Sequence, residues 1–276
     1  MSPRKSIFLK VLLVIGFLIF FYPNISDYVN SFTQTTSIVN YDKAIGAFDK
    51  VDIQTIKNAA NAYNRRIFQE KDSIYYPNLV KGYDQTLNPF HDGVMGYITI
   101  DKIGVSLPIY HGVTEGILQT SVGHLPGTSL PVGGPSTHAV LSGHSGLRSA
   151  KLFTDLHKLG IGDEFVLSVL GEDLYYKVCH VEVVLPKQVD ALKVFPGKDY
   201  VTLFTCTPYG VNTHRLLVRG ERIDAPPGAT NQKVKDHVKK DRWQSIAKLV
   251  LVVGLISMIV LSIIKDVCII RREKLS

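Results

Sequence analysis

The chain has 276 residues, which is enough for one well-packed domain with additional segments. It carries 31 Lys and Arg against 24 Asp and Glu, a formal net charge of +7, but the basic residues do not form one patch interleaved with aromatic side chains. The sequence therefore predicts no nucleic-acid partner. Three cysteines, Cys179, Cys206 and Cys268, are too few for a disulfide framework.

The first predicted element is an apolar stretch near the N-terminus. Residues 11–26 carry no charge, and Arg4, Lys5 and Lys10 precede them. No Ala-x-Ala-like cleavage site follows, so the pattern favours an uncleaved membrane anchor over a signal peptide. We therefore interpret residues 1–29 as a cytoplasmic tip and an N-terminal membrane anchor.

A second apolar stretch lies near the C-terminus. Residues 246–264 contain a single lysine near their start, and Lys265 and Arg271 follow them. The length and the basic flank predict a transmembrane helix over residues 245–265 and a basic cytoplasmic tail over 266–276. Because basic residues lie on the outer flank of both spans, both termini are expected in the cytoplasm and the long segment between them outside the cell membrane.

Residues 30–93 are predicted to form an extracellular helical extension that includes a candidate lid. Apolar residues recur at steps of three and four within residues 40–70, which indicates an amphipathic helix with Asp52 as its expected N-cap. Residues 71–93 are irregular and contain two prolines. Long connections of this kind often serve as lids.

Residues 94–224 are predicted to form a mainly β domain, because short β-type runs are separated by Gly and Pro. Many short strands with little helix indicate a closed or sandwich-like fold. Two brief helical candidates, Thr114–Thr120 and Ser149–Leu156, interrupt the series, and a linker over residues 225–244 ends it. The predicted strands are Gly96–Ile100, Val105–Tyr110, Thr137–Leu141, Glu164–Val169, Leu174–Leu185, Tyr200–Cys206 and Thr213–Arg219.

The last two predicted strands are expected to pair as a hairpin, because the interval between them contains the chain-reversing residues Pro, Gly and Asn. If the turn centres between Gly210 and Val211, residues whose numbers sum to 421 face each other. Cys206 then lies opposite Arg215, with their Cβ atoms about 4.5–5.5 Å apart on one face of the sheet. A slip of one residue would put the two side chains on opposite faces.

A thiol beside a guanidinium has two interpretations. Arg215 could stabilise the thiolate of Cys206 and donate hydrogen bonds to an oxyanion, as a cysteine-based acyl-transfer site requires. Alternatively, Cys206 is a buried structural cysteine and Arg215 forms a surface ion pair, and the residues alone leave both interpretations open. Cys179 is expected to pack within a strand, and Cys268 is expected to face lipid at the cytoplasmic boundary.

Of the nine histidines, His144 is the main acid–base candidate. It follows a predicted strand, and Gly143 and Gly146 are expected to leave room for its ring and for a substrate backbone. His138 lies within the strand and is expected to be packed, whereas His124, in a predicted loop, could have either role. HExxH and CxxC patterns are missing, so no metal or other cofactor is predicted.

Three segments carry a family resemblance. THAVLSGHSGL, AKLFTDLHKLGIGDEF and DYVTLFTCTPYGVNTHRLLVRGERI closely resemble the class C, or pilus-assembly, sortases of Gram-positive bacteria. The resemblance covers roughly residues 40–225 and extends to the arrangement of two anchors. It implies a sortase-type closed β-barrel of roughly eight strands, with N-terminal helices and two flanking transmembrane helices.

The resemblance also implies roles for individual residues. Cys206 matches the nucleophile of the family, His144 the general acid/base, and Arg215 the group that orients the oxyanion or the substrate. Thr205 matches the Thr before the family Cys and is expected to help shape the oxyanion site. The implied enzyme is a cysteine transpeptidase that forms a thioester and then passes the acyl group to an amine.

The implied partners are pilin proteins. In the family reaction the thiolate attacks the Thr–Gly bond of an LPxTG-like sorting signal, and a pilin Lys amine resolves the thioester into an isopeptide bond. Three alternatives remain at this point: a housekeeping-type sortase that anchors proteins to peptidoglycan, a hydrolytic thiol protease, and a non-catalytic extracellular scaffold.

The sequence departs from the family in two places. Many class C sortases have a lid with an Asp-Pro-aromatic motif, which is missing here, although Asn88-Pro89-Phe90 looks similar and residues 70–90 are the expected lid position. Family members also commonly have Arg after the His of the catalytic loop, whereas this chain has Ser145.

Overall fold

The structure is a computed structural model that describes residues 3–147, 150–226 and 231–273. Eight strands form a closed barrel, and long helices precede and follow it. The elements are α1 (Pro3–Ile45), α2 (Lys50–Gln69), β1 (Val94–Ile100), β2 (Val105–His111), α3 (Glu115–Leu118), β3 (Val122–His124), β4 (Thr137–Ser142), β5 (Glu164–Val169), β6 (Glu172–Val184), β7 (Asp199–Thr207), β8 (His214–Ile223) and α4 (Asn231–Glu273).

The strands follow one another around the barrel in the order β1-β2-β3-β4-β7-β8-β6-β5. Pairs β2–β3 and β4–β7 are parallel, and the other described pairs are antiparallel. The closed barrel predicted from the sequence is therefore confirmed. Closure also leaves no open sheet edge, which removes the usual route to edge-to-edge aggregation.

Side-chain alternation divides the barrel strands into an inner and an outer face. On β7, Val201 and Leu203 belong to the main core inside the barrel. On the outside, Val140, Leu192 and Leu217 form a second apolar group, which we name the outer cluster. Strand β4 is consequently buried on both of its faces.

The predicted strands all occur in the structure, with ends that differ by up to four residues. Two predictions of secondary structure within the barrel domain were wrong. His124 lies in β3, a three-residue strand, and not in a loop. Residues 152–155 form turns instead of a helix, and a short 3-10 helix follows at Leu156–Lys158. Ser149 lies outside the described residues.

Helix α2 starts earlier than the sequence indicates. Asp49, and not Asp52, is its N-cap, because the Asp49 carboxylate accepts a 2.8 Å hydrogen bond from the backbone N–H of Asp52. The apolar spacing marks only the buried face of the helix, so it cannot mark an exposed first turn. On that buried face, the Asn64 side chain bonds both the N–H and the C=O of Leu130 and fixes α2 to the barrel.

The segment that follows α2, the predicted lid position, is tied to several barrel loops. Ser73 donates to the carbonyl of Gly127 at 2.9 Å, and Tyr75 donates to Asp190 at 3.1 Å. Phe90, from the Asn88-Pro89-Phe90 triplet, packs against the rings of Tyr41 and Phe48. The triplet therefore lies against α1 and the short connection between α1 and α2.

Helices α1 and α4 are long and apolar enough to cross a membrane, over Lys5–Ile45 and Val253–Arg271. They lie side by side, and Lys10 donates to both Asp266 and Ser262 at 2.8 Å. The chain is helical over residues 231–244 of the predicted linker. Residues 227–230 of that linker, 1–2 of the predicted tip and 274–276 of the predicted tail lie outside the described residues.

Candidate active site

Strands β7 and β8 pair in the register predicted from the sequence. Tyr200 faces Glu221 at one end of the hairpin, and Cys206 faces Arg215 at the other. Directly opposed residues of an antiparallel pair share a face. The half-buried thiol and the guanidinium therefore project from the same side of the sheet, close to the rim of the barrel.

The turn between β7 and β8 holds the guanidinium. Gly210 and Asn212 have φ values of 74° and 60°, in the left-handed region that Gly and Asn tolerate best. This conformation presents the carbonyl of Asn212 to the Arg215 side chain, whose Nη1 donates to it at 3.0 Å and to the carbonyl of His214 at 2.9 Å. The guanidinium retains further N–H donors for a ligand.

His144 lies two residues beyond the end of β4, the strand that pairs with β7. The parallel pairing of β4 with β7 ends at Ser142 and Phe204, and continuing it by two residues aligns His144 with Cys206. Hydrogen bonds continue this alignment past the strand end: Gly143 N–H donates to the carbonyl of Phe204 at 3.1 Å, and Ser145 Oγ donates to the carbonyl of Cys206 at 2.6 Å. The three candidate residues are thus brought together.

The expectation that Gly143 leaves open space was wrong. A Cβ at this position would lie 2.8 Å from Cδ2 of Phe153. The aromatic ring of Phe153 therefore occupies the space that a side chain at position 143 would need. The backbone N–H of Phe153 also donates to the carbonyl of His144 at 3.0 Å. Gly143 therefore lets the loop after β4 pack tightly, which fixes the backbone of His144.

Thr205 lies on the opposite face from Cys206, because neighbouring residues of a strand alternate. It is 3% exposed, and its hydroxyl donates to the carbonyl of Gly143 at 2.6 Å. A hydroxyl has one hydrogen to donate. In Thr205 this hydrogen is used in the bond to Gly143, which joins the ends of β4 and β7.

The structure adds Glu115 to the site, which sequence reasoning missed. Its Oε1 lies 3.6 Å from Nε2 of His144. Nε2 itself is buried and has no hydrogen-bond partner among the described residues. Glu115 begins the short helix that was predicted at Thr114–Thr120, but nothing in the local sequence connects it with a residue 29 positions away.

Two other histidines weighed from the sequence, His138 and His124, are buried in the fold. His138 is fully buried, donates or accepts through both ring nitrogens, and has its pKa lowered to about 4 by burial. Burial lowers the pKa of His124 to about 3. Cys179 lies at a bulge of β6, where its thiol donates to the carbonyl of Arg219, and is half-buried instead of lying in the core as expected. Cys268 is exposed on α4.

A closed β-barrel that presents a thiol, an imidazole and a guanidinium on one rim defines a class of cysteine acyl-transfer enzymes. Comparison with known proteins agrees with this class. The Sortase domain matches residues 98–223. Sortase A from Bacillus anthracis is 26% identical over 172 residues, which are 62% of this chain and 79% of that protein.

Solved structures give the finer relationship. The crystal structure of sortase C1 from Streptococcus agalactiae is 45% identical, with a TM-score of 0.63, and the match covers 68% of this chain and 98% of that one. Sortase C from Clostridium perfringens, solved with the C-terminal cell wall sorting motif, is 45% identical with a TM-score of 0.60 over 68% of this chain and 98% of that one. The chain belongs to the sortase family and is a class C sortase transpeptidase.

Proposed function

We propose that the protein polymerises pilins: it cleaves an LPxTG-like sorting signal through a thioester on Cys206 and transfers the acyl group to a pilin lysine. The observation that carries this proposal is the register that opposes Cys206 to Arg215 while the next strand aligns His144 with the thiol. Nucleophile, base and oxyanion donor are the three parts that acyl transfer requires.

The proposed reaction has two covalent steps. In the first, the thiolate of Cys206 attacks the Thr carbonyl of the signal, and the Arg215 guanidinium donates to the oxyanion that develops. His144 gives a proton to the leaving Gly amine. In the second step, a lysine amine attacks the thioester and the thiolate leaves, which forms the isopeptide bond.

Thr205 has a supporting role in this proposal. Its hydroxyl is already donated to the carbonyl of Gly143, so it does not itself bind the oxyanion. By joining the ends of β4 and β7 it holds the backbones of His144 and Cys206 in register. A fixed backbone matters because small displacements of reacting groups are costly in rate.

The substrate assignment is supported by a similar protein. Clostridium perfringens sortase C, 45% identical to this chain, was solved with a C-terminal cell wall sorting motif. By analogy, a sorting signal is the expected acyl donor here. Pilin lysine as the acceptor agrees with the class C relationship and with a chain that has two candidate spans.

The proposed topology places both termini in the cytoplasm and the barrel outside. Ser6 and Lys10 of α1 contact Asp266 and Ser262 of α4, so the residue numbers rise in one helix as they fall in the other. This antiparallel pairing supports two spans in which the start of α1 and the end of α4 lie on the same side of the membrane. Lys5 and Arg271 are at those ends, in keeping with the positive-inside rule.

The proposed division of the chain follows from the same features. Residues 1–29 are the tip and first anchor, 30–93 the helical extension, and 94–224 the catalytic barrel. A connecting segment over 225–244 leads to the second transmembrane helix at 245–265 and the basic tail.

The test is incubation of the full-length protein with a pilin that carries an LPxTG-like signal, followed by mass analysis. We expect a ladder of covalent pilin polymers from the unaltered protein and from Cys179→Ala, and none from Cys206→Ala. Cleavage of the signal without a ladder would indicate peptidoglycan anchoring or hydrolysis. A ladder from Cys206→Ala would contradict the catalytic assignment.

A further inference from the structure

Glu115 is an exposed carboxylate at the mouth of the candidate site. Its side chain is 71% exposed, and its Oε1 lies 3.6 Å from Nε2 of His144. The amide of Gln119 donates to the same Oε1 at 2.5 Å, which holds the carboxylate in place. A carboxylate therefore faces both solvent and the candidate base.

The charge of Glu115 is not neutralised by a lysine or arginine among the described residues. Its one ion-pair contact there is His144, and its hydrogen-bond donor, Gln119, is uncharged. Other carboxylates of the barrel are paired with lysines, as in Lys57–Glu172 at 2.5 Å and Lys198–Glu221 at 2.7 Å. Glu115 thus retains a charge that can attract a cation from solution.

A transpeptidase needs such a site for its second substrate. A lysine side chain reaches the enzyme as an ammonium ion, because its ordinary pKa is about 10.4. It becomes a nucleophile only after it loses a proton close to the thioester. A carboxylate beside a base satisfies both requirements, since it binds the cation and places it next to the proton acceptor.

We propose that Glu115 binds the ammonium group of the acceptor and directs it to His144. This inference rests on the proposed function, in which the thioester forms on Cys206. It assigns the acceptor as a cationic primary amine, approaching over α3. It places the donor signal on the other side of the thiol, beside Arg215, which faces Cys206 across the hairpin.

The proposed step balances in atoms and charge. The ammonium bound at Glu115 gives one proton to the imidazole of His144, and its nitrogen forms a bond with the thioester carbonyl carbon. The carbon–sulfur bond breaks, and its electron pair goes to the sulfur of Cys206. The second proton on nitrogen is released to solvent, which leaves a neutral amide.

The main alternative is that Glu115 only orients the His144 ring. A change at Glu115 would then affect both covalent steps and every acceptor equally. Acceptor binding, in contrast, affects only the second step and only acceptors that carry a positive charge. The two roles therefore differ in a measurable quantity.

The experiment uses the full-length Glu115→Gln variant with an LPxTG-like peptide and two acceptors: a lysine-containing peptide, and hydroxylamine, which is largely uncharged at neutral pH. We expect KM for the lysine peptide to rise about fivefold, the effect of losing one exposed charge pair. Peptide cleavage and transfer to hydroxylamine should stay within about twofold of the unaltered rates. Glu115→Asp should restore part of the lysine affinity.

The matched control is Glu172→Gln on β6, which removes a carboxylate paired with Lys57 of α2. It should change neither KM for the lysine peptide, nor peptide cleavage, nor transfer to hydroxylamine. The acceptor assignment would be overturned if Glu115→Gln reduced transfer to the lysine peptide and to hydroxylamine equally, or reduced transfer to neither. Activity in Cys206→Ala would instead overturn the proposed function, so the two failures are distinguishable.

Discussion

Two histidines on one side of β4 show how the barrel separates packing from chemistry. His138 lies within the strand, where its Nδ1 lies 2.8 Å from the carbonyl of Lys193 and its Nε2 lies 2.7 Å from Oγ1 of Thr202. His144 lies two residues past the strand end, and its Nε2 has no hydrogen-bond partner among the described residues. Both ring nitrogens of the interior histidine are therefore hydrogen-bonded, whereas Nε2 of the histidine at the rim is not bonded to another described residue.

The difference arises from what covers each position. Phe195 and Tyr200 pack against the ring of His138 and exclude water from it. The His144 side chain, in contrast, is 26% exposed, and the carboxylate of Glu115 lies 3.6 Å from its Nε2. Imidazole that is buried and fully bonded stabilises the fold, whereas imidazole at a rim can exchange protons.

The largest expected effect comes from removing the imidazole at the rim. We expect His144→Ala to lower kcat/KM for peptide cleavage by about a thousandfold, because it removes the proposed general acid/base. Its free energy of unfolding should change by less than about 1 kcal/mol, since the ring is 26% exposed and has no aromatic contact among the described residues. Steady-state kinetics and denaturant unfolding of the full-length protein measure both quantities.

The matched control is His138→Ala on the same strand. It should lower the free energy of unfolding by about 2–4 kcal/mol, because it leaves buried hydrogen-bonding groups without partners. Its kcat per folded molecule should stay within about threefold of the unaltered value. The assignment of roles would be contradicted if His144→Ala lowered mainly stability and His138→Ala lowered mainly activity.

The next largest effect tests whether the rim needs the shape of a guanidinium or only its charge. We expect Arg215→Lys to lower kcat by about a hundredfold, because an ammonium cannot reproduce a planar fork of donors aimed at an oxyanion. The control is Arg219→Lys, on the same face of β8, where the guanidinium stacks over Phe195 and Tyr200. Near-normal turnover by Arg215→Lys would show that charge alone is sufficient.

The last prediction concerns pH and the interior histidines. Burial lowers the pKa of His138 to about 4 and that of His124 to about 3, from 6.5. Below pH 6.5 the unfolded chain therefore binds more protons than the folded one. Stability should fall as pH is lowered, by up to about 1.4 kcal/mol per pH unit for each histidine until its folded pKa is reached.

Denaturant unfolding at about pH 7 and about pH 5 measures this loss. His138→Gln removes one of the two titrating groups, so the loss attributable to these histidines should be about halved in that variant. An unchanged pH dependence would mean that other groups cause it.

The hairpin was predictable because its determinants are local. Pro208, Gly210 and Asn212 define the turn, and the turn sets the register that opposes Cys206 to Arg215. Strand β3 was missed because three residues carry too little alternation to be recognised. The Asp49 cap was missed because the first turn of α2 is exposed and has no apolar spacing to mark it.

The remainder of the site depends on strand order and loop packing in the folded barrel. Glu115 reaches His144 only because β3 lies between β2 and β4. Phe153 fills the space at Gly143 only because the loop after β4 folds back on itself. Contacts of this kind join segments distant in sequence, and local patterns contain no record of them.

The central claim is that Cys206 becomes acylated by the sorting signal. Its most direct test is intact-mass spectrometry of the full-length protein after incubation with an LPxTG-like peptide and no amine acceptor, followed by peptide mapping of the adduct. We expect an acyl group ending in Thr on Cys206, retained in Cys179→Ala and absent from Cys206→Ala. An adduct on another residue, or cleavage of the peptide by Cys206→Ala, would contradict the account.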